Sequence, residues 1–406
     1  MIRRPGLMTR LIGLAITLAL AIGLVAVVAV RLDGSGGLPA PSGSVSWHGP
    51  VEVSTGMTFG VDLAVSGENL YLVGKSTSTE VWSSTDGTSW TVASAEETVD
   101  SSFVPRGAVA DGSGGLLVVG ETLGGGTQTP TPAIWHSSNG GAFTRATLEA
   151  LTPAEIVGVA AGAGRFVAVG DHSAPAMGTA TTGAIVYSLD AWSSVDGASW
   201  SHVTLPDSDD YQAITVSAWS GGFAAVGVSE TGQSGAAIWT SSDGNSWQRS
   251  PAALGDFGVT SLLSFGGRLV ALGAIRDEAE GIIPASWASS DGRTWVESKA
   301  PVREPAMMFD RATVVGSDIV AVGMSHMGST QELVVGSGAG ATPRPAPSSV
   351  ASAWISTDGS SWRLVPADPA LVFDSYMSSM AAFGDRPVVA TLGNQALLVY
   401  VGDIAP

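Results

Sequence analysis

WSSVDGASW, at Trp192–Trp200, decides the fold because the chain carries this nine-residue motif in six versions. An Asp-Gly or Asn-Gly pair between two apolar stretches is typical of a β-hairpin turn, since glycine adopts a positive φ without strain. If the loop has three residues and ends on the glycine, we expect the two aromatic residues to be direct cross-strand neighbours. The other five versions read WSSTDGTSW from Trp82, WHSSNGGAF from Trp135, WTSSDGNSW from Trp239, WASSDGRTW from Trp287 and WISTDGSSW from Trp354.

A short apolar strand that ends in glycine precedes each hairpin. It occurs seven times, and the glycines are Gly74, Gly120, Gly170, Gly227, Gly273, Gly323 and Gly393. A further apolar stretch lies upstream of each, so one repeat supplies four antiparallel strands over a mean period of about 53 residues. The pattern predicts an all-β chain that folds as a seven-bladed β-propeller of four-stranded antiparallel blades.

The seventh blade is one strand short, because only ALLVYVG and a few residues follow Gly393. The segment SVSWHGPVEV from Ser44 resembles the outer strands of the other repeats, with Trp47 in the place of the second aromatic. We expect it to close the ring by pairing with the last blade, which removes two open sheet edges. Residues 44–406 are therefore predicted to form one propeller.

The first 43 residues indicate a membrane anchor. Residues 11–30 contain nothing more polar than threonine and could span a bilayer as a helix. Arg3, Arg4 and Arg10 precede them, which favours a cytoplasmic segment 1–10 and export of the rest. Residues 31–43 are rich in Gly, Pro and Ser and are predicted to be a linker. A cleaved secretory signal and a buried core helix are the alternative interpretations.

Composition excludes several classes of function. The 36 acidic and 18 basic residues give a net charge of -18, which argues against nucleic acid as a partner. The chain has no cysteine, so disulfides and thiolate metal sites are excluded. The five histidines show no close ligand spacing. We expect no cofactor and no metal, a packing or surface role for His48 and His202, and loop positions for His172 and His326.

The hairpin motif Ser-x-Asp-Gly-x-Ser/Thr-Trp resembles the Asp-box, or bacterial neuraminidase repeat, of sialidases, sortilin-like receptors and other exported propellers. In those proteins the box is a turn that stabilises the fold. The resemblance implies a structural role for Asp86, Asn139, Asp196, Asp243, Asp291 and Asp358.

An acidic residue stands beside an aromatic one just before several innermost strands. Variable loops on a rigid scaffold are common binding sites, and these side chains could converge near the ring axis. Alternatively, the aromatic residues pack between blades and the acids cap turns. The candidate ligand-binding residues are Asp210, Tyr211, Asp256, Asp310, Arg311, Asp374 and Tyr376.

The sequence therefore predicts a membrane-anchored, extracytoplasmic propeller that acts as a non-catalytic binding or scaffold module. Its ligand would be a protein or a glycan on the loop face. A sialidase-like glycoside hydrolase is the alternative. It would need three arginines for the substrate carboxylate, a Tyr paired with a Glu as nucleophile, and an Asp as acid/base. A purely structural domain of an envelope complex is a third hypothesis.

Overall fold

The computed structural model describes residues 44–56, 59–94, 99–123, 129–149, 151, 153–175, 185–229, 235–255, 257–302, 308–324, 349–366, 368, 371–373, 377–393 and 396–405. The predicted cytoplasmic segment, membrane anchor and linker, residues 1–43, lie outside these ranges. Within them there is no helix long and apolar enough to cross a bilayer.

In blades 1 to 5 the strands follow one another along the chain in groups of four. The first strand, β1 (Ser44–Thr55), stands apart from these groups. Blades 1 to 3 consist of β2 (Phe59–Ser66), β3 (Asn69–Lys75), β4 (Thr79–Ser84), β5 (Thr91–Ser94); β6 (Phe103–Ala110), β7 (Leu116–Leu123), β8 (Pro130–Ser137), β9 (Thr144–Arg145); and β10 (Ala154–Gly162), β11 (Arg165–Pro175), β12 (Ile185–Ser194), β13 (Ser201–Thr204).

Blades 4 and 5 consist of β14 (Tyr211–Trp219), β15 (Gly222–Ser229), β16 (Ala236–Ser241), β17 (Gln248–Leu254); and β18 (Gly258–Phe265), β19 (Arg268–Asp277), β20 (Gly281–Ser289), β21 (Val296–Lys299). Blades 6 and 7 add β22 (Arg311–Val315), β23 (Asp318–Met324), β24 (Ser349–Ser356), β25 (Arg363–Leu364), β26 (Val372–Phe373); and β27 (Met377–Phe383), β28 (Arg386–Gly393), β29 (Ala396–Ala405).

The strands form seven separate antiparallel sheets, and six of them are built from consecutive strands. In blade 6 the short β26 also pairs with β24. The seventh sheet has the order β1-β29-β28-β27, with Ser44 opposite Ala405 at one end of the outer pair. The predicted seven-bladed propeller with four-stranded antiparallel blades is confirmed.

The blades form a closed ring. Each innermost strand contacts the innermost strand of the next blade, and β27 of blade 7 contacts β2 of blade 1. Seven buried hydrophobic clusters lie between consecutive blades, one at each interface. Val388 and Val399 of blade 7, for example, pack with Leu70, Leu72 and Trp82 of blade 1. The hydrophobic core is therefore divided among the blade interfaces, and burial of its apolar side chains is the main stabilising contribution.

The predicted pairing of the two hairpin aromatics is wrong. Trp192 lies opposite His202 rather than Trp200, and their rings are 5.2 Å apart. The second tryptophan instead stays at the turn, where the Trp200 indole Nε1 donates to the carbonyl of Gly197 at 2.9 Å. The turn is therefore longer than the three-residue loop that the prediction assumed.

An aspartate organises five of the six turns in the same way. Its Oδ1 accepts the main-chain amides two and three residues further on at 2.6–2.9 Å, and a serine hydroxyl at 3.0–3.2 Å. Hydrogen bonds from these amides, chiefly from the Thr294 amide, lower the pKa of Asp291 to about 2. The following glycine has a φ between +70° and +78°, the left-handed region that glycine enters without strain.

The second strand ends at its glycine, as predicted, in blade 7, where Gly393 is the last residue of β28, but in the other six blades it continues past the glycine. Strand β11 continues past Gly170 to Pro175, and β7 continues past Gly120 to Leu123. In blade 3 the innermost strand carries one extra residue opposite this glycine, a β-bulge that shifts the register between Ile156 and Gly158. A Cβ on Gly170 would overlap the carbonyl oxygen of Glu155, and equivalent overlaps occur in blades 2, 5 and 6. Glycine is required there because the bulge brings two main chains together.

Candidate functional site

Charged side chains gather where the innermost strands begin. This end of the ring also carries the connections from the second to the third strand and from one blade to the next, so it is the loop face. The inner charged cluster comprises five carboxylates and two guanidinium groups: Asp62, Glu121, Glu155, Asp171, Asp310, Arg106 and Arg311.

Arg106 is the centre of one half of the inner charged cluster. It is the extra residue of the bulge in β6, between Pro105 and Gly107. Its Nη2 donates to Glu121 Oε1 at 2.8 Å, and its Nε donates to both carboxylate oxygens at 3.2 Å. The carboxylates of Glu155 and Asp171 also act on this guanidinium electrostatically. One arginine therefore faces three carboxylates from blades 2 and 3.

Burial affects the charge of Glu121. Its side chain is only 3% exposed, and this burial raises its pKa against the opposing effect of Arg106. The negative charge of Glu155 raises the pKa further. Asp171 is also buried, and its Oδ2 accepts the amide of Ala213 in blade 4 at 3.2 Å. The carboxylate excess in this half of the cluster is thus fixed to the scaffold.

Asp62 joins three blades near the axis. Its carboxylate accepts the Ser379 hydroxyl of blade 7 and, at 2.7 Å, the Ala108 amide of blade 2. It also accepts the amide of Leu63 at 2.9 Å. Burial raises the pKa of Asp62, while these hydrogen bonds and the charge of Arg311 in blade 6 oppose the increase. Arg311 of blade 6 therefore acts electrostatically on a carboxylate of blade 1, two blades further round the ring.

Asp310 and Arg311 lie at the start of β22, as part of this cluster. Arg311 Nη1 donates to the Asp310 carbonyl at 2.8 Å and lies 3.8 Å from its carboxylate. The preceding Phe309 is fully buried, and its ring centroid is 5.1 Å from Trp354 and 4.7 Å from Trp362. The aromatic residue packs in the interface between blades 5 and 6, while the charged pair faces the axis.

Tyr211 lies in an interface and not with the inner charged cluster. It is 7% exposed and packs against Trp239 with ring centroids 5.3 Å apart. The Arg249 guanidinium stacks over its ring at 4.8 Å and donates to its hydroxyl. Asp210 is exposed with a φ of +66°. Of the other sequence candidates, Asp256, Asp374 and Tyr376 lie outside the described residues.

Sequence reasoning missed most of the cluster. The local pattern selects neither Arg106 nor the carboxylates of blades 1 to 3. A signal was present, because the residue after the second-strand glycine is charged in blades 1 to 3: Lys75, Glu121 and Asp171. Glu121 and Asp171 interact with Arg106, whereas the Lys75 ammonium donates to the carbonyl of Ser101.

A second buried carboxyl group lies within blade 3. Asp190 is fully buried; its Oδ2 contacts His172 Nδ1 at 2.6 Å, and its Oδ1 contacts His202 Nε2 at 2.8 Å. The Thr204 hydroxyl donates to the same Oδ1 at 2.8 Å. His172 belongs to β11 and not to a loop. Across the described ranges, no group of three or more His, Asp or Glu side chains could hold a metal ion.

Searches against family models and curated proteins found no match. The chain is similar to the solved structure "YCF48 bound to D1 peptide", with 15% identity, coverage of 92% of this chain and 100% of that one, and a TM-score of 0.54. It also matches a Trypanosoma rangeli sialidase (14% identity, 89% and 59% coverage, TM-score 0.41) and a Penicillium chrysogenum α-L-arabinanase complexed with arabinobiose (10%, 88% and 98%, 0.47). The chain thus spans about three fifths of the sialidase. The likeness to the peptide-bound structure, whose TM-score is above 0.5, supports one thing, the β-propeller fold.

Proposed function

We propose that this propeller is a non-catalytic module that binds a basic segment of another protein at its loop face. The observation that carries the proposal is the inner charged cluster, in which five carboxylates face two guanidinium groups. Glu121 already binds Arg106 through three hydrogen bonds. Because carboxylates outnumber guanidinium groups, the cluster as a whole is acidic.

A rigid ring suits this task. Glu121 and Asp171 are buried and hydrogen-bonded, so they are held in place before a ligand arrives. Charges that are held in place attract an oppositely charged ligand more strongly than mobile surface charges do. The chain as a whole has a net charge of -18, which also favours a basic partner. A protein of the same fold, YCF48, is described bound to a peptide.

The proposal includes a location. Residues 11–30 would anchor the protein in a membrane, with Arg3, Arg4 and Arg10 on the cytoplasmic side and the propeller outside. Protease added to sealed right-side-out vesicles tests this arrangement, because it should cleave a propeller that lies outside. A propeller that is cleaved only after the vesicles are lysed would contradict it.

The binding test uses the full chain in detergent micelles and a labelled Lys/Arg-rich peptide, with fluorescence anisotropy as the readout. The double variant Glu155→Gln/Asp171→Asn removes two charges from the inner charged cluster. The matched control, Glu68→Gln/Asp385→Asn, removes two exposed charges from turns on the opposite face. We expect the cluster variant to bind about tenfold more weakly, because close charges contribute to affinity, and the control to bind like the parent.

Equal loss in both variants would show that only net charge matters and would overturn the proposed site. Binding of a neutral oligosaccharide in place of the peptide would make the ligand a glycan. Turnover of a fluorogenic glycoside that is lost in Asp310→Ala would make the protein a hydrolase.

A further inference from the structure

We propose that Asn139 is a site of spontaneous deamidation and that the aspartate product keeps the folded turn. Asn139 holds the place of the turn aspartate in blade 2, whereas the other five turns have an aspartate there. Glycine follows it, and its amide meets the least steric hindrance of any residue when it attacks a preceding side-chain amide. Asparagine is a thermolabile residue, and a following glycine favours its reaction because the attacking amide is unhindered.

The turn around Asn139 is held more loosely than its five counterparts. In those turns the glycine amide donates to the serine hydroxyl at 2.8–2.9 Å. Among the described contacts of blade 2, no such bond joins the Gly140 amide to Ser137. Asn139 Oδ1 accepts one main-chain amide, that of Gly141 at 3.0 Å, and the Ser137 hydroxyl only at 3.4 Å. The attacking nitrogen and the carbon it attacks are thus less restrained here.

Asn139 is also accessible, and Gly140 cannot be exchanged. Asn139 is exposed, so water reaches its side chain. Gly140 has a φ of +74°, and a Cβ there would overlap the ring of Tyr71. The Tyr71 hydroxyl donates to the Asn139 carbonyl at 3.2 Å. Packing therefore requires glycine after Asn139 and preserves the reactive pair.

The reaction balances without any co-reactant except water. The Gly140 nitrogen bonds to Asn139 Cγ, its proton passes to solvent base, and ammonia leaves to give a cyclic imide. Water then opens the imide at the former side-chain carbonyl to give aspartate, or at the main-chain carbonyl to give isoaspartate. The net change is one water consumed and one ammonia released.

The fold discriminates between the two products. Aspartate at position 139 places a carboxylate where five identical turns already bind one through two amides and a serine hydroxyl. Isoaspartate lengthens the main chain by one carbon and moves the Gly140 nitrogen away from the position that the Tyr71 ring requires. The aspartate form should therefore remain native, and the isoaspartate form should be the less stable one.

The test is incubation of the native full chain at mildly alkaline pH, followed by peptide mapping with mass spectrometry. Asn69 and Asn245, which leucine and serine follow, are internal controls in the same digest. We expect conversion of Asn139 to be at least several-fold faster than conversion of either control, with none at this position in Asn139→Gln. The thermal midpoint of Asn139→Asp should equal or exceed that of the parent.

Two results would overturn the proposal. Conversion of Asn139 no faster than that of Asn245 in the native protein would exclude the site, and a parallel denatured sample would show whether the fold is what protects it. An Asn139→Asp variant that melts below the parent would exclude retention of the aspartate turn. Enzymatic methylation of isoaspartate, applied to the folded fraction, measures how much isoaspartate remains in folded protein.

Discussion

Arg386 in blade 7 donates from Nη2 to the main-chain carbonyl of Asp86 in blade 1 at 2.9 Å. The two residues are 300 positions apart in the chain, and their contact lies across the closure of the ring. Arg268 in blade 5 makes the same contact with the Asp358 carbonyl of blade 6 at 2.8 Å. Each arginine begins the second strand of its blade and reaches the aspartate turn of the next. The turns therefore help to join neighbouring blades.

Replacing Arg386 by glutamine should weaken the closure between blades 7 and 1. We expect the free energy of unfolding to fall by about 1 to 2 kcal/mol, because a charge-assisted hydrogen bond to a part-buried carbonyl is lost. Chemical denaturation measures the change. Arg145→Gln, on an exposed outer strand, is the control and should change stability by less than about 0.5 kcal/mol. Equal effects would mean that the contact contributes nothing specific.

Gly170→Ala should be far more harmful than Gly158→Ala, although both glycines lie at the same bulge. A Cβ on Gly170 would overlap the Glu155 carbonyl, whereas one on Gly158 would have its nearest neighbours at 3.8 Å. We expect a loss above about 3 kcal/mol for the first variant and below about 1 kcal/mol for the second. Thermal denaturation decides between them, and similar melting points would contradict the role given to the bulge.

The turn aspartates should make stability depend on acid pH. Burial would raise the pKa of Asp358 above its ordinary value of 3.8, but hydrogen bonds from the amides of Ser361 and Ser360 and from the hydroxyls of Ser361 and Ser356 together lower it to about 2. Because the folded pKa is depressed, the stabilisation is complete above about pH 4 and is lost as pH falls towards about 2. Asp291→Asn/Asp358→Asn should therefore be less stable than the parent at neutral pH, with a difference that shrinks in acid. Denaturation midpoints across this range test it; a constant difference would show that the charge is irrelevant.

Arg106→Leu should destabilise the fold through the carboxylate it leaves behind. Glu121 is 3% exposed, and without its guanidinium partner it must lose its charge or take up water. Since Arg106 itself is 37% exposed, we expect a loss of about 2 kcal/mol, below that of a fully buried pair. The double variant Arg106→Leu/Glu121→Leu should regain most of this stability. No recovery in the double variant would mean that packing of the arginine, and not its charge, matters.

The repeat made the fold predictable because hairpin chemistry is local. Asp-Gly between tryptophans specifies a turn, and seven apolar strands with a glycine specify the number of blades. The sequence did not determine the register, that is, which residues of neighbouring strands lie opposite each other. A longer turn separates Trp192 from Trp200, and a one-residue bulge explains Gly170. Both depend on contacts between strands that no local pattern contains.

The site was predicted less completely for the same reason. Asp310 and Arg311 were found because they stand beside an aromatic residue at a strand start, and the structure places them with the inner charged cluster. Tyr211 has the same local signature, but Trp239 and Arg249 hold it in an interface. Asp62 was missed because its partners, Ser379 and Ala108, come from two other blades. Only the closed ring brings these residues together.

The sheet order β1-β29-β28-β27 has a consequence for biosynthesis. The outermost strand of the last blade is made before any other strand of the propeller, yet its pairing partner is the last to be synthesised. During translation β1 carries an unsatisfied edge, with Val45 and Trp47 exposed although both are buried in the finished ring. A nascent chain is vulnerable to misassociation through such a segment. Synthesis of β29 is therefore the event that lets β1 pair, so a chain that lacks β29 would be left with two open edges and a hydrophobic strand with no place to pair.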